Sequence, residues 1–138
     1  MRILALDFGQ RRIGAALSDA LEITAQPLAV IERIGAAADL QAVAKLIAGH
    51  DVECVVIGLP LTLKGERGPQ AQRALAFGDA LKRVISVPIE WVDERFTTAQ
   101  ASRALREAGQ DSRNQKSSID QAAAQLILQS YLDAKHAR

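Results

Sequence analysis

Short unbroken apolar runs alternate along this chain with longer stretches whose apolar residues recur every three or four positions. Residues 2–7 form a continuous apolar run, as expected of a central strand covered on both faces. Two further runs, 13–18 and 24–31, lie either side of a polar segment at 19–22 and complete a meander with the first. Over 37–48, Leu40, Val43, Ala44 and Ile47 stand at helical spacing. A fully apolar strand is predicted at 52–58, and a loop holding two prolines and two glycines at 59–69. A helix follows at 70–85, with Ala74, Phe77, Leu81 and Val84 on one face, and then a buried strand at 87–93 containing Trp91.

Two helices are predicted beyond it. Thr97 and Gln100 fit a capping box for a helix running to Ala108, with Gly109 just past its end. The polar segment 110–117 lacks periodicity and reads as a mobile loop. Ser118 and Gln121 form a second capping box for a final helix with Ile119, Ala122, Ala123, Leu126, Ile127 and Ser130 on one face. The order β-β-β-α-β-α-β-α-α predicts an α/β fold with a mixed sheet. Three antiparallel strands are followed by two parallel ones, with helices on both faces.

Composition narrows the class. A chain of 138 residues fits one domain spanning 1–138, large enough to bury about two-thirds of its unfolded surface. Its hydrophobic content of 49% and charged content of 24% exclude a disordered chain. The formal net charge is +1, so a nucleic-acid-binding surface must be a local feature. Cys54 is the one cysteine; it forms no internal disulfide and reads as a small buried hydrophobe. His50 and His136 are far apart, without Cys or carboxylate at ligand spacing, which argues against structural zinc. No apolar stretch reaches membrane-spanning length and Met1 leads straight into a strand, so the expected setting is the cytoplasm, with no membrane partner.

Chemistry concentrates where the first strand ends. Its apolar run stops at Asp7 and continues Phe8-Gly9-Gln10-Arg11-Arg12-Ile13-Gly14. An ionised carboxylate at a strand end must find water, donors or a cation. Gly9 and Gly14 allow a sharp turn and close approach of a ligand, and Arg11 and Arg12 place two cations suited to phosphate. Ordinary hairpin-turn chemistry accounts for this segment equally well when it is taken alone.

The other acids strengthen the first reading. Asp93 and Glu94 end the last strand and Asp120 lies early in the final helix. Parallel strands present their C-terminal ends on one edge of a sheet, so these carboxylates can meet Asp7 at one rim. Clustered carboxylates repel, and an oxygen-only cluster suits a hard cation such as Mg²⁺ or Mn²⁺ and hydrolysis of a phosphate ester. Alternation along Val87, Ile89 and Trp91 puts Asp93 on their face and Glu94 with Glu90 and Val92, which does not decide between the two acids.

In this arrangement the chain resembles the YqgF/RuvX family, small nucleases of the ribonuclease H-like superfamily. Four elements carry the resemblance, in order along essentially the whole chain. They are the Asp-x-Gly-x-(Lys/Arg)-x-x-Gly segment from Asp7 to Gly14, and Ile57-Gly58-Leu59-Pro60 with the following loop through Gly65, Gly68 and Pro69. Asp93-Glu94-Arg95 with its Thr97-Thr98 cap comes third, and Lys116 to Asp120 fourth. The resemblance implies a ribonuclease H-like fold with Asp7, Glu94 and Asp120 as catalytic acids holding Mg²⁺ or Mn²⁺. It selects Glu94 over Asp93. Arg11, Arg12 and Arg95 are then expected on phosphate oxygens, with Lys64 and Arg67 from the loop at 61–68 and Arg113 and Lys116 from that at 110–117. The implied activity is endonucleolytic hydrolysis of structured nucleic acid, either 5′-end maturation of precursor 16S rRNA or cleavage of four-way (Holliday) junction DNA, by a monomer or a homodimer. Two departures touch phosphate binding: Gln10 stands where Thr or Ser is usual, and Thr62-Leu63-Lys64 varies a loop that often carries Asn and an acid.

Two other function classes fit the sequence less well. A nucleotide-binding ATPase of the actin and sugar kinase type shares the first Asp-x-Gly loop but needs a second, which is missing here along with room for a duplicated fold. A catalytically inactive nucleic-acid-binding scaffold is disfavoured because all three acids are present.

Overall fold

The computed structural model describes residues 1–62, 64–94 and 113–137, with side chains omitted over 113–121. The helix expected at 97–108 and the capping residues around it lie outside the described residues.

Strands β1 (Arg2–Phe8), β2 (Arg12–Ser18) and β3 (Ala25–Glu32) form the predicted meander, joined by β4 (Val52–Leu59) and β5 (Ile89–Asp93). The five make one sheet in the order β3-β2-β1-β4-β5. β1 pairs antiparallel with β2, and β2 with β3, whereas β1–β4 and β4–β5 are parallel. Pro27 cannot donate to a ladder and sits in the edge strand β3, opposite Ala16 and beside a register shift. Helices α1 (Ala36–Gly49) and α2 (Pro69–Lys82) make the crossovers to β4 and β5, and α3 (Arg113–His136) follows β5.

Side-chain alternation sorts the strands onto two cores. Leu4, Leu6, Phe8, Val55 and Ile57 point to one face, where they pack with Val43 of α1 and Ala74, Phe77 and Leu81 of α2. Ile3, Ala5, Cys54 and Val56 point to the other, against Ala123, Ala124, Ile127, Leu128 and Leu132 of α3. β1 is buried on both faces, which is why its sequence is apolar throughout. The α3 core is built mostly from small residues, so helix and sheet approach closely.

Three boundaries differ from expectation. α2 ends at Lys82, and Val84, expected on its buried face, is 48% exposed. β5 begins at Ile89, after Pro88, so Val87 precedes it. The helix expected from Ser118 already begins at Arg113, and residues 113–117 are helical turns, not loop. Arg, Gln and Lys are good helix formers, but 113–117 contains no apolar residue and so shows no apolar period, and this start was therefore silent in the sequence.

The C-terminal part of α3 is tied to elements far away in sequence. Gln125 donates to the Ala25 carbonyl, and the Ala25 N–H donates to Gln129. Lys135 pairs with Glu22 at 2.7 Å, and His136 lies 2.6 Å from the Glu22 carbonyl. Tyr131 and Cys54 both donate to Glu90 of β5. Burial, reinforced by the Glu90 carboxylate, pushes the Cys54 thiol up to about 12, so it is held as an inert thiol. No helix among the described residues is long and apolar enough to cross a membrane.

Candidate active site

β1, β4 and β5 run parallel, and their C-terminal ends share one rim of the sheet. Asp7 stands at the end of β1 and Glu94 directly after β5; both are fully buried, at 0% exposure. Strand parity puts them on one face. Asp7 follows Ile3 and Ala5 on the α3 side, and Glu94 follows Val92, which packs in the same core. Asp93 has the parity of Ile89 and Trp91, whose side chains pack into the α1/α2 core.

Two glycines stand beside these acids. Gly14 is the direct cross-strand partner of Asp7 on β2. On β4, Leu6 pairs with Ile57, so Gly58 is the next position along, beside Asp7. A Cβ at Gly58 would lie 2.6 Å from Ile127 Cδ1 and 2.9 Å from the Glu94 carboxyl carbon. The Glu94 carboxylate therefore lies over β4 in space that any side chain at 58 would occupy. Among the described glycines only Gly65 has positive φ, at 83°. Gly14 lies within strand β2 and so does not turn the chain.

The third expected acid, Asp120, lies in α3, in the stretch whose side chains are not described. Among the described residues no set of three His, Cys, Asp or Glu side chains is arranged to hold a metal ion. The two acids that are described supply oxygen donors only and are sequestered from bulk water, a donor set that fits Mg²⁺ or Mn²⁺ and not a soft metal.

The basic residues divide. Arg11 is exposed at the tip of the β1–β2 turn. Arg12 is committed to β3, where its Nε donates to Glu32 at 2.9 Å across the strand pair and its side chain is only 10% exposed. Lys64 and Arg67 are exposed on the loop between β4 and α2. That loop is organised by Thr62, whose N–H donates to the Glu66 carbonyl and whose Oγ1 accepts the Glu66 N–H. Arg113 and Lys116 lie on the first turns of α3, and Arg95 falls outside the described residues.

Sequence reasoning missed two residues at this rim. Arg33 donates through Nη1 to the carbonyls of Gly9 and Gln10, both at 3.0 Å, and lies 4.3 Å over the Phe8 ring. Asp39, buried in α1, accepts from Arg33 Nε at 3.4 Å and from the Ile34 N–H at 2.9 Å. No local pattern marks Arg33, whose partners Phe8, Gly9 and Gln10 lie on another strand end, and Asp39 gains its part only through Arg33.

A sheet of this order, crossed by helices on both faces and with acids at the C-terminal rim of its parallel strands, defines a ribonuclease H-like α/β protein. RuvC from T. thermophilus in complex with a Holliday junction superposes with a TM-score of 0.61 at 14% identity, over 99% of this chain and 96% of that one. The fowlpox virus Holliday junction resolvase gives 0.55 at 16% identity, over 97% and 99%. At such identities the likeness is one of fold. Within that class the chain belongs to the family described as "RuvX: Holliday junction resolvase", which it matches over residues 1–134. Relatives in Moorella thermoacetica and Chloroflexus aurantiacus, both named "Putative pre-16S rRNA nuclease", are 47% and 46% identical over 133 residues. These alignments cover 96% of this chain and 95% and 87% of the relatives.

Proposed function

We propose that the protein is a divalent-metal-dependent endonuclease of structured nucleic acid acting in the cytoplasm, with precursor 16S rRNA as its substrate. One observation carries the catalytic reading: Asp7 and Glu94, from opposite ends of the sequence, are fully buried on one face of one rim. The relatives named for the rRNA activity are similar over nearly their whole length, which favours that substrate over junction DNA.

Asp7, Glu94 and Asp120 would hold Mg²⁺ or Mn²⁺. Position 120 stands three, four and seven residues before Ala123, Ala124 and Ile127, the stripe of α3 that faces the sheet, a spacing that supports Asp120 as the third acid. A divalent ion held there supplies Lewis-acid stabilisation of a phosphoryl oxygen and lowers the pKa of water. The residues themselves supply position: the ends of β1 and β5 fix two carboxylates against a rigid sheet, and packing at Gly58 keeps water from the back of Glu94. Arg11, Lys64 and Arg67, exposed along the same rim, would track the phosphate backbone, with Arg95, Arg113 and Lys116 extending that surface. Arg12 is a weaker phosphate ligand, since contacting nucleic acid requires breaking its pair with Glu32. A single ribonuclease H-like domain spanning 1–138 would carry this activity, as a monomer or a homodimer.

The test is side-by-side Mn²⁺-dependent cleavage of a precursor rRNA 5′ end and of a four-way DNA junction by wild type, Asp7→Asn, Glu94→Gln and Asp120→Asn. Each substitution should abolish most cleavage while leaving substrate binding largely intact, and combining them should add little. Preferential cutting of the junction reassigns the substrate. Full activity in Glu94→Gln removes Glu94 from the site.

A further inference from the structure

Arg33 lies on the far side of the sheet from the acids. Phe8 shares the parity of Leu4 and Leu6, which face α1 and α2, and the Arg33 guanidinium covers the Phe8 ring there. Phe8 in turn stacks on Phe77 of α2, with ring centroids 4.6 Å apart. Asp7, its neighbour, points to the α3 side.

Every carbonyl of the tight turn after Phe8 is engaged by this one residue. Its Nη1 takes those of Gly9 and Gln10, and its backbone N–H donates to the Arg11 carbonyl at 2.8 Å. The guanidinium is itself oriented by Asp39, which is 2% exposed and also accepts from the Ile34 and Gly35 N–H groups at the start of α1. A planar cation that stacks on one ring while donating in two directions leaves little freedom to the backbone it holds. That backbone is the immediate continuation of Asp7 and carries the exposed Arg11.

We infer that Arg33 is a positioning residue for the active site, clamping the Gly9–Arg11 turn from the opposite face of the sheet and so fixing the Asp7 carboxylate and the Arg11 side chain in register with Glu94. The inference rests on the role proposed for Asp7. A displacement of about 1 Å at a reacting centre costs up to about 100-fold in rate, so a clamp acting only through the backbone is enough to govern turnover.

The experiment compares full-length wild type, Arg33→Ala, Arg33→Lys, Asp39→Asn and Asp7→Asn. Four measurements are made on each: melting temperature, amide hydrogen exchange over residues 8–12, Mn²⁺ binding without nucleic acid from the free-ion EPR signal, and single-turnover cleavage with saturating enzyme. Arg33→Ala should exchange faster at the turn, need several-fold more Mn²⁺ for half-saturation and cleave about tenfold slower or worse. Arg33→Lys should recover part of each, because an ammonium reaches a carbonyl but neither forks nor stacks like a guanidinium. If Arg33→Ala does not fold, Arg33→Lys and Asp39→Asn carry the comparison. A folded Arg33 variant with a lowered melting temperature but wild-type Mn²⁺ binding and cleavage makes Arg33 merely structural and overturns the inference. Wild-type Mn²⁺ binding and cleavage in Asp7→Asn instead overturns the site assignment on which it stands.

Discussion

Replacing Gly58 by Ala should damage catalysis far more than folding. The added methyl would lie 2.6 Å from Ile127 Cδ1, 2.9 Å from Glu94 Cδ and 3.1 Å from Glu94 Cγ. Carbon atoms rest at about 3.5–4.0 Å, so Ile127 and Glu94 must each retreat by roughly 1 Å. Both are fully buried, so neither can swing into solvent. Overpacking of this kind costs about 1–3 kcal/mol, which a domain stable by about 5–15 kcal/mol survives at 25 °C. A carboxylate displaced by about 1 Å, by contrast, can cost about 100-fold in rate. Thermal melts and single-turnover cleavage separate the two effects. Gly78→Ala is the matched control: its methyl would meet Trp91 at 2.5 and 2.8 Å, on the α1/α2 face away from the acids. It should lower the melting temperature comparably and leave the rate near wild type. Adding Ile127→Val to Gly58→Ala removes one of the two clashes and should recover stability without recovering the rate. Equal rate losses in Gly58→Ala and Gly78→Ala at equal stability would falsify this reasoning, because the effect would then follow stability and not Glu94.

Three other outcomes are expected. Millimolar Mn²⁺ should raise the melting temperature of wild type more than that of Asp7→Asn or Asp120→Asn, and equal shifts in a thermal melt would argue against a shared site. Binding should weaken with salt, and Ala at Arg11, Lys64 or Arg67 should each lower the log–log salt slope by about 0.7–0.9, whereas Ala at Arg12 should leave it nearly unchanged; filter binding across a salt series decides. The Ile23 and Thr24 N–H groups donate to Asp19 and hold its carboxyl below the ordinary range, Thr24 contributing most. A depressed folded-state pKa stabilises above the unfolded value and is lost as pH falls through the folded one. The melting-temperature gap between wild type and Asp19→Ala should therefore be largest near neutrality and close in strong acid; a constant gap would show that packing, not charge, sets it.

The five strands were legible because burial on one or both faces writes itself into apolar runs, and α1 and α2 because each keeps a helical stripe. The choice between Asp93 and Glu94 was not legible from the same alternation. Parity says only that they differ; which of them joins Asp7 depends on the face that α3 covers, and that is set by Ala123, Ile127 and their close approach to the sheet. Arg11 and Arg12 look equivalent in sequence, but Arg12 stands opposite Glu32 in a strand register that no local pattern reveals. Arg33 was invisible for the same reason, and Asp39, whose partners are all local, matters only through Arg33. They look like ordinary surface charges until the end of β3 is brought beside the turn after β1.

The two cores of the sheet are unequal, and this has a consequence for how activity is lost. The α1/α2 side is filled by large residues, Leu4, Leu6, Phe8, Ile13, Ile57, Phe77 and Leu81 among them, whereas the described side chains of α3 bring Ile127, Leu128 and Leu132 as their large fully buried ones, beside Ala123 and Ala124. Undocking α3 would also uncover Ile3, Ala5, Ala16, Cys54 and Val56 of the sheet, but would leave the α1/α2 core in place, so it need not wait for global unfolding. Its remaining hold is a series of polar ties to Ala25, Glu22 and Glu90, most of them exposed or half-exposed. The expected behaviour is a foldon comprising α3 that opens before the sheet does. With α3 detached, the strands and the α1/α2 core would stay in place, but Asp7 and Glu94 would lose the helix that covers their face. Amide exchange should accordingly show two tiers of protection, and on heating or in mild denaturant the enzyme should fall silent while its sheet is still folded.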